Sequence, residues 1–117
     1  MKYRPLGRTG LSVSAVSFGT VSLGADYGIA APGEFGRPGA DAAIALLKEA
    51  VARGITLFDT APAYGDSEAL IGRAIGPDTR AIIATKTASA DVETALDASR
   101  RALGRDTLDI VQMHNAS

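Results

Sequence analysis

Gly54-Ile55-Thr56-Leu57-Phe58-Asp59-Thr60-Ala61-Pro62-Ala63-Tyr64-Gly65-Asp66-Ser67-Glu68 holds two changes of hydrophobic period in one short run. Upstream, Asp41 to Arg53 places Ile44, Leu47 and Val51 on one helical face. Asp41 is the expected N-cap, and Gly54 suits the position after the helix end. Ile55 to Asp59 reads as a strand. After it, Ser67 is expected to cap a second helix with the stripe Leu70, Ile71 and Ala74, stopped by Gly76-Pro77.

The same alternation continues on either side. Ala81 to Thr85 is apolar on both faces, as in a buried strand. Val92, Leu96, Ser99 and Leu103 line up on a third helix that ends at Gly104, and Leu108 to Met113 forms a further strand. Toward the amino terminus, Val16 to Gly19 reads as a short strand. Lys2 to Ala15 reads as a hairpin turning through Gly7-Arg8-Thr9-Gly10. Between Gly24 and Gly39 five glycines and two prolines predict a loop. The order is strand then helix three times, then a strand, which implies a parallel sheet covered by helices. Periodicity leaves two architectures open: a doubly wound sheet, or part of a (β/α)₈ barrel.

Bulk properties narrow the function classes. The 117 residues suit a single domain of ordinary globular composition, 46% hydrophobic and 21% charged. A formal charge of -1 without a basic stripe argues against nucleic-acid binding. The absence of cysteine excludes a disulfide framework and a thiolate metal site, and one histidine makes any transition-metal site an unfavoured reading. The opening MKYRPLGRTG contains no apolar run, so neither a signal peptide nor a membrane span is expected and the expected location is cytoplasmic. Gly19 to Gly24 has the glycine spacing of a phosphate loop but Ala25 where lysine belongs, and no G-x-G-x-x-G follows a strand. A lysine four residues after Tyr64 would suggest a short-chain dehydrogenase, but that position is Glu68.

The polar residues at the carboxyl ends of the strands carry the chemistry. Asp59 ends one strand with Tyr64 just beyond it, Lys86 ends the next, and His114 ends the last. In a parallel barrel these ends share the catalytic face. Singly, each has a plainer reading: a turn aspartate, a half-buried tyrosine, a solvated lysine, a satisfied histidine. Together they make a coherent set. A lysine ammonium makes a neighbouring phenol a better proton donor, an aspartate keeps that lysine charged and placed, and a histidine can hydrogen-bond a carbonyl oxygen. Such a set suits carbonyl reduction, whose hydride must come from a nicotinamide cofactor.

The run from Gly54 to Glu68, continued by Ala69-Leu70-Ile71-Gly72, resembles the aldo/keto reductase signature, with its F-D-T-A-x-x-Y-G-x-S-E core intact. Ala84-Thr85-Lys86 and Leu108-Asp109-Ile110-Val111-Gln112-Met113-His114-Asn115 resemble the same family's third- and fourth-strand endings. Tyr3 to Leu11 resembles the hairpin that opens many bacterial members. The resemblance implies the first half of a (β/α)₈ TIM barrel, preceded by a β-hairpin, as one partial domain spanning residues 1–117 and truncated after the fourth core strand. It further implies Tyr64 as general acid, Asp59 and Lys86 as its tuning pair, and His114 as the substrate-orienting residue. Gly19, Thr20 and Asp59 are expected near the nicotinamide of NADPH.

The implied activity is NADP(H)-dependent reduction of an aldehyde or ketone to an alcohol, the substrate being a small carbonyl compound. The alternative is a non-catalytic remnant or binding module of the same fold. The family's later strands supply most cofactor contacts, and a full barrel needs about 250 residues. The expectation is therefore a truncated gene product or incomplete sequence. Self-association is expected through strand edges near Ile110 and Val111. Tyr27 and Phe35, in the first strand–helix loop, are weaker pocket candidates.

Overall fold

A two-stranded antiparallel hairpin, β1 (Tyr3–Pro5) and β2 (Ser12–Ser14), precedes a four-stranded parallel sheet in the computed structural model, which describes residues 1–24 and 39–114. The sheet strands are β3 (Ser17–Gly19), β4 (Leu57–Asp59), β5 (Ile82–Thr87) and β6 (Ile110–Met113). Among the described residues four helices connect them: α1 (Val21–Gly24), α2 (Ala40–Ala52), α3 (Ser67–Ile75) and α4 (Val92–Leu103). The strand order is β3-β4-β5-β6, with every neighbour parallel. A doubly wound sheet reverses its order at a switch point, whereas this sheet is wound in one direction only. The singly wound order is that of a barrel wall, which settles the choice that periodicity left open.

One face of the sheet meets the helices. Phe58 and Ile83 point that way and are almost fully buried with Leu47, Ile71, Ile75 and Leu103. The Phe18 and Phe58 rings stack obliquely, their centroids 5.9 Å apart. Alternation along the strands sends Ser17, Gly19, Leu57, Asp59, Ala84, Ile110 and Gln112 to the other face, where they line a concavity of about 410 Å³ with Leu6 of the hairpin turn. The hairpin docks at the amino ends of the strands. Ser14 and Thr56 exchange amide-to-hydroxyl hydrogen bonds of 2.9 Å each, and the Tyr3 hydroxyl donates to the Gly54 carbonyl at 2.9 Å.

The local signals fell close to the observed ends, with instructive shifts. Helix α2 starts at Ala40 with extended Gly39 as its cap, so Asp41 lies in the first turn, where its charge complements the helix dipole. Helix α3 is preceded by Asp66 at the cap; Ser67 is its first helical residue, and its hydroxyl is committed elsewhere. Asp91 caps α4 by accepting from the Thr94 amide at 3.2 Å, and Gly104 ends that helix in the left-handed region at φ 66°. Of the α4 stripe, Ser99 and Leu103 are buried but Val92, in the first turn, is 40% exposed. Strand β5 extends two residues further than expected, so Lys86 lies within it and Thr87 ends it. Strand β6 ends at Met113, and the His114 amide continues its ladder to the Thr87 carbonyl at 2.8 Å. The single-turn α1 had no periodic signal at four residues. Among the described residues no helix is long and apolar enough to cross a membrane.

The turn before β5 carries a pH-sensitive contact. The Arg80 guanidinium holds Asp78 through hydrogen bonds of 2.7 and 3.0 Å, helped by its own amide at 2.9 Å. These bonds lower the Asp78 pKa from 3.8 to about 2. A carboxylate depressed in the folded state stabilises it above the unfolded pKa and loses that effect as pH falls through the folded value. Asp78→Asn should therefore cost below about 1 kcal/mol at neutral pH. Urea denaturation of both proteins should show that difference shrinking between pH 3.8 and about 2; a constant difference would contradict the assignment.

Candidate active site

Strand β4 presents Asp59 to the inner face at its carboxyl end, in register with Gly19 of β3 and Ala84 of β5. Two residues past Ala84 on the same face stands Lys86, beyond the end of the shorter β4. Its side chain reaches back across the sheet. The Lys86 ammonium donates to Asp59 Oδ1 at 2.7 Å and to the Thr60 carbonyl at 2.9 Å. The lysine side chain is largely buried, at 14% exposure, and the aspartate is more open at 39%, so the pair has one shielded end and one facing solvent.

Tyr64 lies in the loop between β4 and α3. Lys86 Nζ is 5.1 Å from the centroid of the Tyr64 ring, within cation–π range. His114 meets the same tyrosine edge-on, with ring centroids 5.8 Å apart and planes at 85°. The four residues picked out from the strand ends thus converge on one spot, although 55 positions separate Asp59 from His114 (114 minus 59). A second concavity of about 370 Å³ opens beside them, walled by Pro62, Ala63, Ala88 and Ala95 and reaching Lys86 and His114.

The loop that carries Tyr64 is held by a backbone-to-backbone contact. Gly24 at the end of α1 lies so close that a Cβ there would overlap the Tyr64 carbonyl oxygen and come within 2.6 Å of the Ser67 amide. Gly65 reciprocates: a Cβ on it would overlap the Gly24 carbonyl, and its φ of 58° is left-handed. The glycine spacing that superficially suggested a phosphate loop has a packing explanation at Gly24. No local pattern marks that role; only the shared close approach reveals it.

Gly19 and Thr20 are placed very differently. Among the described residues nothing lies within 4 Å of a Cβ built on Gly19, which leaves space next to Asp59. Thr20 is fully buried. Its hydroxyl and amide donate to the Asp59 carbonyl at 2.8 and 3.0 Å, so it supports Asp59 from within and offers no surface to a bound molecule. Tyr27 and Phe35 lie outside the described residues.

The hairpin and the four parallel strands are shared with solved aldo/keto reductases. The family model described as the aldo/keto reductase family matches residues 15–117. The chain belongs to the aldo/keto reductase family. It is 36% identical to L-galactose dehydrogenase of Arabidopsis thaliana over 130 aligned positions, covering 98% of this chain and 38% of that protein. Against aldo-keto reductase YhdN of Bacillus subtilis it is 31% identical over 132 positions, covering 97% and 38%. PA4992, a Pseudomonas aeruginosa protein assigned to the aldo-keto reductases, superposes with a TM-score of 0.82 at 34% identity, over 98% of this chain and 48% of its own. AKR11C1 from Bacillus halodurans gives 0.75 at 32% identity, over 100% and 38%. The chain spans less than half the length of these relatives, and what it matches is part of an aldo/keto reductase barrel.

Proposed function

We propose that the polypeptide reduces an aldehyde or ketone to an alcohol with NADPH, and that Tyr64 donates the proton. The observation that carries this reading is the Lys86 ammonium, fixed by Asp59 at 2.7 Å and standing 5.1 Å from the centre of the Tyr64 ring. When the Tyr64 O–H gives its proton to the substrate oxygen, a phenolate remains, and the ammonium beside it offsets that charge. Asp59 holds Lys86 in place through the 2.7 Å bond. His114, across the tyrosine, donates a hydrogen bond to the same oxygen as negative charge develops there.

The nicotinamide supplies the hydride when bound. Gly19 and Asp59 would hold its ring: among the described residues the space over Gly19, beside the half-exposed Asp59, is open, and a Cβ at position 19 would begin to fill it. The alanine- and proline-walled concavity next to Lys86 and His114 suits the apolar part of a small carbonyl compound. Consumption of NADPH by the polypeptide its own gene encodes, on addition of aliphatic and aromatic aldehydes, tests the reading. Saturable turnover with stoichiometric alcohol is expected; no oxidation of NADPH with any of them would contradict it. We place such an enzyme in the cytoplasm.

The same geometry bears on the 117-residue chain expressed by itself. Among the described residues, strands β3 and β6 are the edges of the sheet, and Val111 and Met113 on β6 are 41% and 57% exposed. Edges of this kind pair with other edges. Sedimentation at tens of micromolar, on the order at which unpaired edges associate, should show dimers or larger species; a stable compact monomer would contradict this.

A further inference from the structure

The first two residues of α3 turn their side chains inward, toward the strand ends on either side of β4. Ser67 is fully buried, and its hydroxyl donates to the Thr20 carbonyl at 2.6 Å. Thr20 in turn clamps the Asp59 carbonyl through both its hydroxyl and its amide. On the other side Glu68, 7% exposed, accepts a hydrogen bond of 2.7 Å from the hydroxyl of Thr85, which is fully buried and immediately precedes Lys86.

We propose that Glu68, with Ser67, is a positioning residue for the Asp59–Lys86 pair, a role that rests on the proton-transfer reading of that pair. Lys86 reaches two acceptors, Asp59 Oδ1 at the end of β4 and the carbonyl of Thr60, the residue after it. The spacing of β4 and β5 at their carboxyl ends therefore decides whether both bonds form. Helix α3 sets that spacing: Ser67 holds the β3 side through Thr20, and Glu68 holds the β5 side through Thr85. A buried carboxylate is a costly way to fill space, since its charge must be satisfied where an apolar side chain would need nothing. Its place in the first turn of a nine-residue helix offsets part of that cost. A directional bond to the residue before Lys86 is what the charge provides in return.

Three variants in the polypeptide its own gene encodes test this. Glu68→Ala removes the acceptor, Thr85→Val removes the donor with little change of shape, and Glu68→Gln keeps an acceptor in place. Nitrogen-15 NMR of the Lys86 ammonium reads positioning without any turnover. Its proton exchange with solvent should quicken about tenfold in the first two variants, as expected for losing one buried hydrogen bond's support, and stay slow in the third. Turnover should fall about 100-fold in the first two, as for a misplacement of about 1 Å. KM should hardly change, and Glu68→Gln should restore activity.

Unchanged Lys86 exchange in both Glu68→Ala and Thr85→Val would overturn the proposal, as would failure of Glu68→Gln to rescue. Loss of folding in both would make the bond a stability element alone, which also overturns it. Tyr64→Phe run in parallel separates proton transfer by Tyr64 from the positioning of Lys86. Normal turnover in that variant removes the proton-transfer reading, while Lys86 exchange still reports on Glu68.

Discussion

Tyr64→Phe should abolish most carbonyl reduction while leaving NADPH affinity nearly untouched. General acid catalysis contributes about 10²- to 10⁴-fold, so the loss in turnover should fall in that range, about 3–5 kcal/mol of barrier. The substitution is unusually clean at this position. Phenylalanine keeps the ring that faces Lys86 and the edge-on contact with His114, so the Asp59–Lys86 bond has no reason to move. Only the hydroxyl goes. Steady-state turnover with an aldehyde, beside a fluorescence titration with NADPH, measures both quantities. Wild-type turnover would end the assignment of Tyr64; a parallel loss of cofactor affinity would mean that the tyrosine binds rather than protonates.

Gly24→Ala should damage stability and activity together, from a residue with no chemistry of its own. The added methyl would occupy the space of the Tyr64 carbonyl oxygen, with the Ser67 hydroxyl and amide close behind it. Backbone atoms cannot rotate away as a side chain can, so α1 or the Tyr64 loop must shift. Overpacking of this kind costs about 1–3 kcal/mol and occasionally more. A displacement of about 1 Å in a catalytic group can cost about 100-fold in rate. Urea denaturation should show a lower midpoint with an unchanged slope, and the folded fraction should turn over more slowly. A variant with normal midpoint and normal turnover would mean that the close approach of Gly24 and Gly65 does not hold Tyr64.

Much of this site was legible because it depends on strand period and strand ends. The carboxyl ends of β4, β5 and β6 set where Asp59, Lys86 and His114 emerge, and those ends are written locally as the close of each apolar run. The family signature from Gly54 to Glu68 made the combination specific, and the matching family model bears out the membership. What stayed hidden depends on contacts between segments distant in sequence. Ser67 has the residue type of a helix cap, yet its hydroxyl goes to Thr20, 47 positions away. Thr20 has the place of a cofactor contact at a strand end, but it is sealed beneath Asp59. Gly24 belongs to a four-residue helix too short to show a period, and its reason for being glycine lies in the loop at Tyr64. Glu68 read as one letter of a motif, and its partner Thr85 becomes visible only once β5 is laid against α3.

The central claim is that Tyr64 and His114 address one substrate oxygen from a platform built by Asp59 and Lys86. A crystal structure of the polypeptide its own gene encodes, with NADP⁺ and a small carboxylate standing in for the carbonyl group, tests it most directly. The predicted result places a carboxylate oxygen within about 3 Å of both the Tyr64 hydroxyl and a His114 ring nitrogen, with the nicotinamide over Gly19. A carboxylate bound away from both residues, with the nicotinamide elsewhere, would contradict it.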